Sequence, residues 1–304
     1  MGEENSVQRE IHVLLEDIFM KYRLLLLFVL VFCHHLFGQK KVEIAESDVV
    51  RHFIEELPKR LNSFDLKDLR SSTDSLNIRI WQPHRIFTLN FADSISSNYK
   101  IHAAGEKPIS STYNFSENIS KNILDSLSAY RIMELQDENY RGLDGAFVFF
   151  EIATKNEYKV VSFWSPSAEK SNDSNSVFHI LSMLNRSIGA LELQNEFRNS
   201  LPPGEYVWGM KSLHMDRFLA EGAFRTDFYD QVEMKIKTEL NITEETNHWE
   251  YPIVLIDDNP AMIADLNNYT QSEVSKLEIL GPDNEELVLY GSRGSKGIVK
   301  LETR

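Results

Sequence analysis

Three glycines and a lysine near the end of the chain are residue types that bind phosphate groups. Gly291, Gly294 and Gly297 surround Lys296. Their spacing does not match the G-x-x-x-x-G-K-[ST] loop, and no dinucleotide fingerprint follows a strand there. Tight turns that require positive φ explain these glycines better than a nucleotide site. We therefore predict that the protein has no cofactor.

Acidic residues beside aromatic strands are the residue types that glycan hydrolysis needs. Glu151 and Asp144 lie near Phe149 and Trp164 in the sequence. A pair of carboxylates in a cleft can act on a glycosidic bond. No G-x-S-x-G motif provides a nucleophile elbow, so no catalytic residue is assigned. An exported hydrolase with an unidentified carboxylate site in residues 75–201 is the alternative function.

Metal-binding residue types occur without the spacing of a metal site. Asp257, Asp258 and Asp265 do not follow the pattern of an EF-hand loop. The histidines show neither an H-E-x-x-H motif nor another paired spacing. We predict no metal site.

Hydrophobic periodicity predicts the strands and helices that carry these residues. Alternating apolar residues predict a hairpin over 76–81 and 85–91, a third strand over 99–103, and a second hairpin over 145–152 and 158–164. Helical spacing predicts helices over 42–61 with an interruption at Pro58, from Ser116 to Tyr130, over 177–201, and over 227–240. This order predicts an α+β fold in which helices cover one face of an antiparallel sheet.

Aromatic residues are concentrated in the predicted strands. Trp81, Trp164, Phe147 and Phe149 lie at strand positions, and Trp208 lies beside a turn. Such residues are more typical of a core than of a ligand platform. If one face of the sheet is exposed, they would form a groove for a peptide or a glycan.

The first part of the chain predicts export. Met20 precedes Lys21 and Arg23, then an apolar run from Leu24 to Cys33 and a small residue, Gly38. This pattern is typical of a secretory signal peptide over residues 1–38, with translation starting at Met20. An uncleaved membrane anchor is the alternative.

Charge and cysteine content narrow the partners and the compartment. The formal net charge of −14 does not favour a nucleic-acid partner. The single cysteine lies in the predicted signal peptide. A chain exported without disulfides fits a bacterial periplasm better than a eukaryotic secretory route. We therefore expect a periplasmic or outer-membrane-associated protein.

The last part of the chain carries a distinctive series of segments. An apolar strand that begins at Ile253 ends in Asp257-Asp258-Asn259, a second strand ends at Leu280, and a glycine turn leads into a final strand. The turn reads Tyr290-Gly291-Ser292-Arg293-Gly294, with Gly297 three residues further on. In this order the segments predict a compact βαββ unit.

These segments resemble the plug domain of TonB-dependent outer-membrane receptors, in the form common in Bacteroidetes. The resemblance implies that Asp257, Tyr290, Gly291, Arg293, Gly294 and Gly297 are structural plug-motif residues. Where the family has Gly, this chain has Asp258, and we expect Asn259 to adopt the left-handed conformation instead.

The resemblance also implies a location in the cell envelope. A receptor barrel of roughly 22 strands would need some 200 further residues, so we expect no transport pore. The predicted organisation is an α+β domain over 42–215, a helix and linker over 216–250, and the plug-like module over 251–304. We predict an accessory or binding protein whose module contacts an envelope protein. A further reading makes residues 42–45 a TonB-box-like strand that pairs with the energising protein.

Overall fold

The structure is a computed structural model that describes residues 40–209, 211–290 and 296–304. The predicted signal peptide over 1–38 lies outside the described residues, as do Gly291, Arg293 and Gly294. No helix in the described part of the chain combines the length and the apolar character needed to cross a bilayer.

The described residues form thirteen strands and five α-helices. The strands are β1 (Lys41–Ile44), β2 (Leu76–Gln82), β3 (Arg85–Phe91), β4 (Ile95–Gly105), β5 (Ile109–Phe115), β6 (Phe147–Ala153), β7 (Glu157–Trp164), β8 (Gly204–Trp208), β9 (Lys211–Met215), β10 (Ile253–Ile256), β11 (Asn259–Ala261), β12 (Val274–Leu280) and β13 (Ile298–Thr303). The helices are α1 (Asp48–Ser63), α2 (Glu117–Ala129), α3 (Asn172–Ser187), α4 (Ala190–Ser200) and α5 (Asp227–Glu239).

The larger sheet has nine strands in the order β1-β7-β6-β2-β3-β4-β8-β9, with β5 also paired to β4. Adjacent strands of this sheet are antiparallel, except for β1 and β7, which are parallel. The two predicted hairpins are β2–β3 and β6–β7. The predicted α+β class is confirmed.

One face of this sheet packs against α2, α3 and α4. Alternate residues such as Ile78, Ile80 and Phe87 point to this face and are fully buried. Ile123 of α2 and Ile180 of α3 cover them. Since successive side chains of a strand point to opposite faces, these positions define the apolar core face.

Helices cover the sheet as predicted, and α1 extends this cover to the second face. Phe53 and Leu57 of α1 form a separate buried cluster with Trp81 and Tyr158. Both faces of this part of the sheet therefore carry large apolar side chains.

The first predicted helix is a strand followed by a helix. β1 pairs with β7, and α1 begins after Ser47, whose Oγ accepts a hydrogen bond from Val50 N at 3.4 Å. Pro58 lies inside α1 and does not interrupt it. The TonB-box-like stretch is therefore already paired within this chain along one edge, so pairing with another protein would use its second edge.

The single helix predicted over 177–201 is two helices. Gly189 has φ of +61° and separates α3 from α4. A glycine adopts this left-handed conformation without a Cβ penalty, so the chain turns although the apolar periodicity continues. The hairpin β8–β9 and the strand β5 were not predicted.

The second sheet has the order β11-β10-β13-β12. β10 and β13 are parallel, whereas β10–β11 and β12–β13 are antiparallel. The α5 helix, predicted within the helix and linker segment over 216–250, shares a buried core with this sheet through Val232 and Ile236.

Candidate functional site

A groove lies between α1 and the ends of β2, β6 and β7. It encloses about 460 Å³. Five aromatic rings line it, contributed by Phe53, Trp81, Phe147, Phe149 and Trp164. This volume is within the range of small-molecule sites.

The rings of the groove pack against one another as a continuous wall. Phe53 stacks on Phe149 with ring centres 4.2 Å apart, and Phe147 meets Trp164 edge-on at 4.6 Å. Phe53 and Trp81 are buried and form the floor, whereas the other three rings are partly exposed. The exposed parts of these rings offer apolar surface to a ligand.

Arg60 is a cation in this apolar groove. Its guanidinium carbon lies 5.4 Å from the centre of the Phe53 ring. Its Nε is buried and has no hydrogen-bond partner among the described residues, nor does its side chain form an ion pair with any of them. Burial lowers the pKa of Arg60, although Glu56 opposes this shift. Because a guanidinium keeps its proton in proteins, Arg60 offers unused donors to an acidic group.

On the Trp164 side of the groove, the backbone of the loop before β6 lies very close to the Trp164 ring. A Cβ at Gly145 would lie 2.3 Å from Ser165 Oγ and 2.8 Å from the Trp164 ring. A Cβ at Gly142 would lie 2.6 Å from the same indole. These two glycines therefore let the loop before β6 pack directly on Trp164.

A buried carboxylate fixes the orientation of the floor. Glu151 is fully buried, and its Oε2 accepts hydrogen bonds from Arg79 Nη1 at 3.0 Å and Trp81 Nε1 at 2.9 Å. Its Oε1 accepts one from the Tyr158 hydroxyl at 3.1 Å. Burial and the neighbouring Glu151 raise the pKa of Tyr158.

The interpretation of Glu151 and Asp144 as a carboxylate pair in a cleft is not supported by this geometry. Glu151 does not line the groove, and its oxygens are engaged by three donors. Asp144 is exposed and lies in the loop before β6. The arrangement suits binding better than acid–base chemistry by this pair.

The predicted plug-motif residue Asp257 lies in a two-residue turn between β10 and β11. Its carboxylate accepts hydrogen bonds from Thr303 N and Thr303 Oγ1, both at 2.8 Å. These bonds lower the pKa of Asp257. The expectation for Asn259 is wrong, because Asp257 and Asp258 adopt positive φ of 50° and 62°. This is the conformation that a tight hairpin turn requires at both central positions.

Gly297 and Tyr290 also have structural contacts. Gly297 has φ of +127°, and a Cβ there would lie 2.2 Å from Leu280 O. Its carbonyl accepts a hydrogen bond from Ile253 N at 3.0 Å. Tyr290 packs against a small buried cluster around Ile298. Gly291, Arg293 and Gly294 lie outside the described residues.

The sequence analysis did not identify two polar residues that make important contacts in the structure. Arg60 follows Phe53 by two helical turns, a spacing that places both on one face of α1 and could have indicated their contact. Asp216 is fully buried and accepts a hydrogen bond from Ile263 N at 2.9 Å, which links the two sheets. The residues next to Asp216 in the sequence do not indicate this contact.

Comparisons of the chain with protein-family models, curated proteins and solved structures found no match. The likeness of the terminal module to a receptor plug therefore stays a prediction. In the part of the chain that the structure describes, no group of three His, Cys, Asp or Glu side chains is arranged to hold a metal ion.

Proposed function

We propose that this protein is an exported binding protein of the bacterial cell envelope. The observation that carries this proposal is the aromatic groove with Arg60 on its wall. Apolar rings supply contact area, and a guanidinium without a protein partner supplies a charged anchor. The ligand expected from this chemistry is an apolar or aromatic group that bears an acid.

The location is part of the same proposal and rests on the sequence. Cleavage of the predicted signal peptide would leave a mature chain that starts at Gln39. Mass spectrometry of the protein from a periplasmic fraction tests this expectation. A protein that keeps residues 20–38, or that stays in the cytoplasmic fraction, would contradict it.

The plug-like module is proposed as the part that docks to an envelope protein. Val288 and Leu289 of this module are 81% and 84% exposed. Adjacent exposed apolar side chains are a common feature of protein contacts. Both residues lie in a 3-10 helix over Glu285–Tyr290, between β12 and β13.

Affinity capture from an envelope extract tests the docking role. The bait is the chain from residue 39, beside a double variant Val288→Ser and Leu289→Ser. Leu191→Ser is the matched control, because Leu191 is 65% exposed on α4 of the larger domain.

A docking module predicts one envelope protein that the wild type and the Leu191 variant retain and the double variant loses. Arg60→Gln should keep this protein, since the groove is a separate site. Retention by all variants, or by none, would remove the docking role from the module.

A further inference from the structure

The face of the larger sheet that carries α1 also has a polar half. Arg79 and Trp81 are on the same face of β2, but Thr88 and Asn90 of β3 and Asn98 of β4 continue this face with polar side chains. The segment before β2, which includes a short 3-10 helix over Leu69–Ser71, borders this half. The cavity between them encloses about 780 Å³ and is separate from the aromatic groove.

Residues that line this cavity carry polar atoms without partners in the described part of the protein. Arg79 is 2% exposed, and its Nε is buried without a hydrogen-bond partner among the described residues. Thr88 Oγ1 is also buried without a partner in that part of the chain. The Asn98 side chain forms no hydrogen bond with another described residue, and all three residues line the cavity. Buried polar atoms normally have partners, so this wall has unused hydrogen-bonding capacity.

The less exposed charged side chains around the cavity have partners within the protein, and the exposed Asp65 and Lys67 carry opposite charges. Arg79 pairs with Glu151 at 3.0 Å, and Asp68 pairs with Arg70 at 2.5 Å. Asp74 accepts hydrogen bonds from Ser72 Oγ, Asn77 Nδ2 and Asn90 Nδ2. Charges of both signs therefore line this cavity, and neither sign dominates its wall.

The unused groups have a characteristic combination of donors and acceptors. Arg79 Nε is a donor, whereas the Thr88 hydroxyl and the Asn98 amide each donate and accept. Hydroxyl groups also donate and accept, so they match such a wall. Leu66, which is partly exposed, adds apolar surface against which the C–H groups of a sugar ring can pack.

We propose that this cavity is a second binding site, for a neutral carbohydrate of one or two rings. Arg79 and Asn98 hydrogen-bond to ring hydroxyls, and Thr88 completes the contact between them. This site goes beyond the aromatic groove, because neither its residues nor its ligand class are shared with that groove.

Saturation-transfer NMR on the chain from residue 39 tests the site. The probes are glucose, galactose, maltose and lactose, beside glucuronate and glucosamine as charged analogues. The variants are Thr88→Val and Asn98→Ala. Their controls are Thr112→Val and Asn114→Ala, which change exposed residues of β5 on the same sheet face outside the cavity.

At least one neutral sugar should bind saturably, with a dissociation constant on the order of 1 mM. Each cavity variant should weaken this binding about tenfold, the effect of one lost hydrogen bond. Both controls should bind as the wild type does. Circular dichroism of each variant checks that it is folded.

Three results would overturn the proposal. The first is that no neutral sugar binds saturably. The second is that binding is equal in the wild type and both cavity variants, or falls equally in the controls. The third is that a charged analogue binds more tightly than its neutral counterpart.

Discussion

The two sheets of this protein are stabilised in different ways. In the larger sheet, the buried Glu151 joins side chains from β2 and β7, and this network supports the floor of the groove. In the smaller sheet, a tight turn at Asp257 and a close backbone approach at Gly297 determine how the strands meet. Beyond their apolar cores, the larger sheet therefore contains a buried polar network, whereas the smaller one contains two positions with unusual backbone conformation.

The largest effect is expected from removal of the buried carboxylate. Glu151→Ala leaves Arg79 buried without its ion-pair partner. Breaking a buried pair in this way costs about 3–5 kcal/mol of unfolding free energy. Urea unfolding measures this loss.

The control for Glu151 is an exposed ion pair. Glu134 pairs with Arg131 at the surface, and Glu134→Ala should change stability by about 1 kcal/mol or less. A loss as small as this for Glu151→Ala would mean that the larger sheet does not depend on its buried network.

The next effect is expected at the glycine of the smaller sheet. Gly297→Ala would place a Cβ 2.2 Å from Leu280 O at a residue with φ of +127°. The backbone must shift, so we expect a loss of about 2 kcal/mol or more in unfolding free energy. Gly281→Ala is the control, since a Cβ there meets nothing within 4 Å. Equal stability of the two variants would show that the close approach is not required.

A titratable group at the junction of the two sheets gives a pH-dependent effect. His214 of β9 faces Glu205, with Nδ1 2.8 Å from Oε1, and Asp216, with Nε2 3.8 Å from Oδ2. Burial favours the neutral ring, but the two carboxylates outweigh it and raise the pKa of His214. Protonated His214 is therefore stabilised in the folded protein.

The sign of the pH effect follows from this raised pKa. The stabilisation is fully present below the pKa of an unfolded histidine, about 6.5, and is lost as pH rises through the higher folded value. Urea unfolding from pH 5 to pH 9 should show this decline, and His214→Gln should remove it. An identical pH profile in the variant would assign the decline to other groups.

The smallest effect is expected at the exposed turn of the smaller sheet. The hydrogen bonds from Thr303 lower the pKa of Asp257, so the charged carboxylate contributes stability above the unfolded pKa of about 3.9. This contribution is lost as pH falls through the folded value. Asp257→Ala should speed amide exchange at Thr303 at neutral pH, whereas Asp283→Ala should not. Unchanged exchange at Thr303 would mean that the turn does not hold the last strand.

The sequence predicted those elements whose hydrophobic pattern or capping residue lies within one short segment. The β2–β3 and β6–β7 hairpins have clear alternation, and Ser116 caps α2 as its residue type indicates. The break at Gly189 was missed because apolar spacing continues from α3 into α4. Strand β5 was missed because polar residues fill its exposed positions.

The groove could be predicted only in part. Its aromatic residues were recognised, since they lie in strands, and a groove was expected if a sheet face were exposed. The contribution of α1 could not be predicted, because the contact between Phe53 and Phe149 joins residues far apart in the chain. The role of Arg60 could not be predicted either. It depends on the lack of a partner for this side chain among the described residues of the folded protein.

Binding of two fluorescent probes to the groove tests the proposed role of Arg60 as an anchor for acidic ligands. Anilinonaphthalene sulfonate and phenylnaphthylamine have similar rings, but only the first carries an acidic group. If Arg60 anchors acidic ligands, the wild type should prefer the sulfonate by about tenfold or more. Arg60→Gln should abolish this preference, and Lys59→Gln, which changes an exposed lysine on the same helix, should retain it. Equal affinity of the wild type for both probes, or a preference that survives Arg60→Gln, would contradict the account.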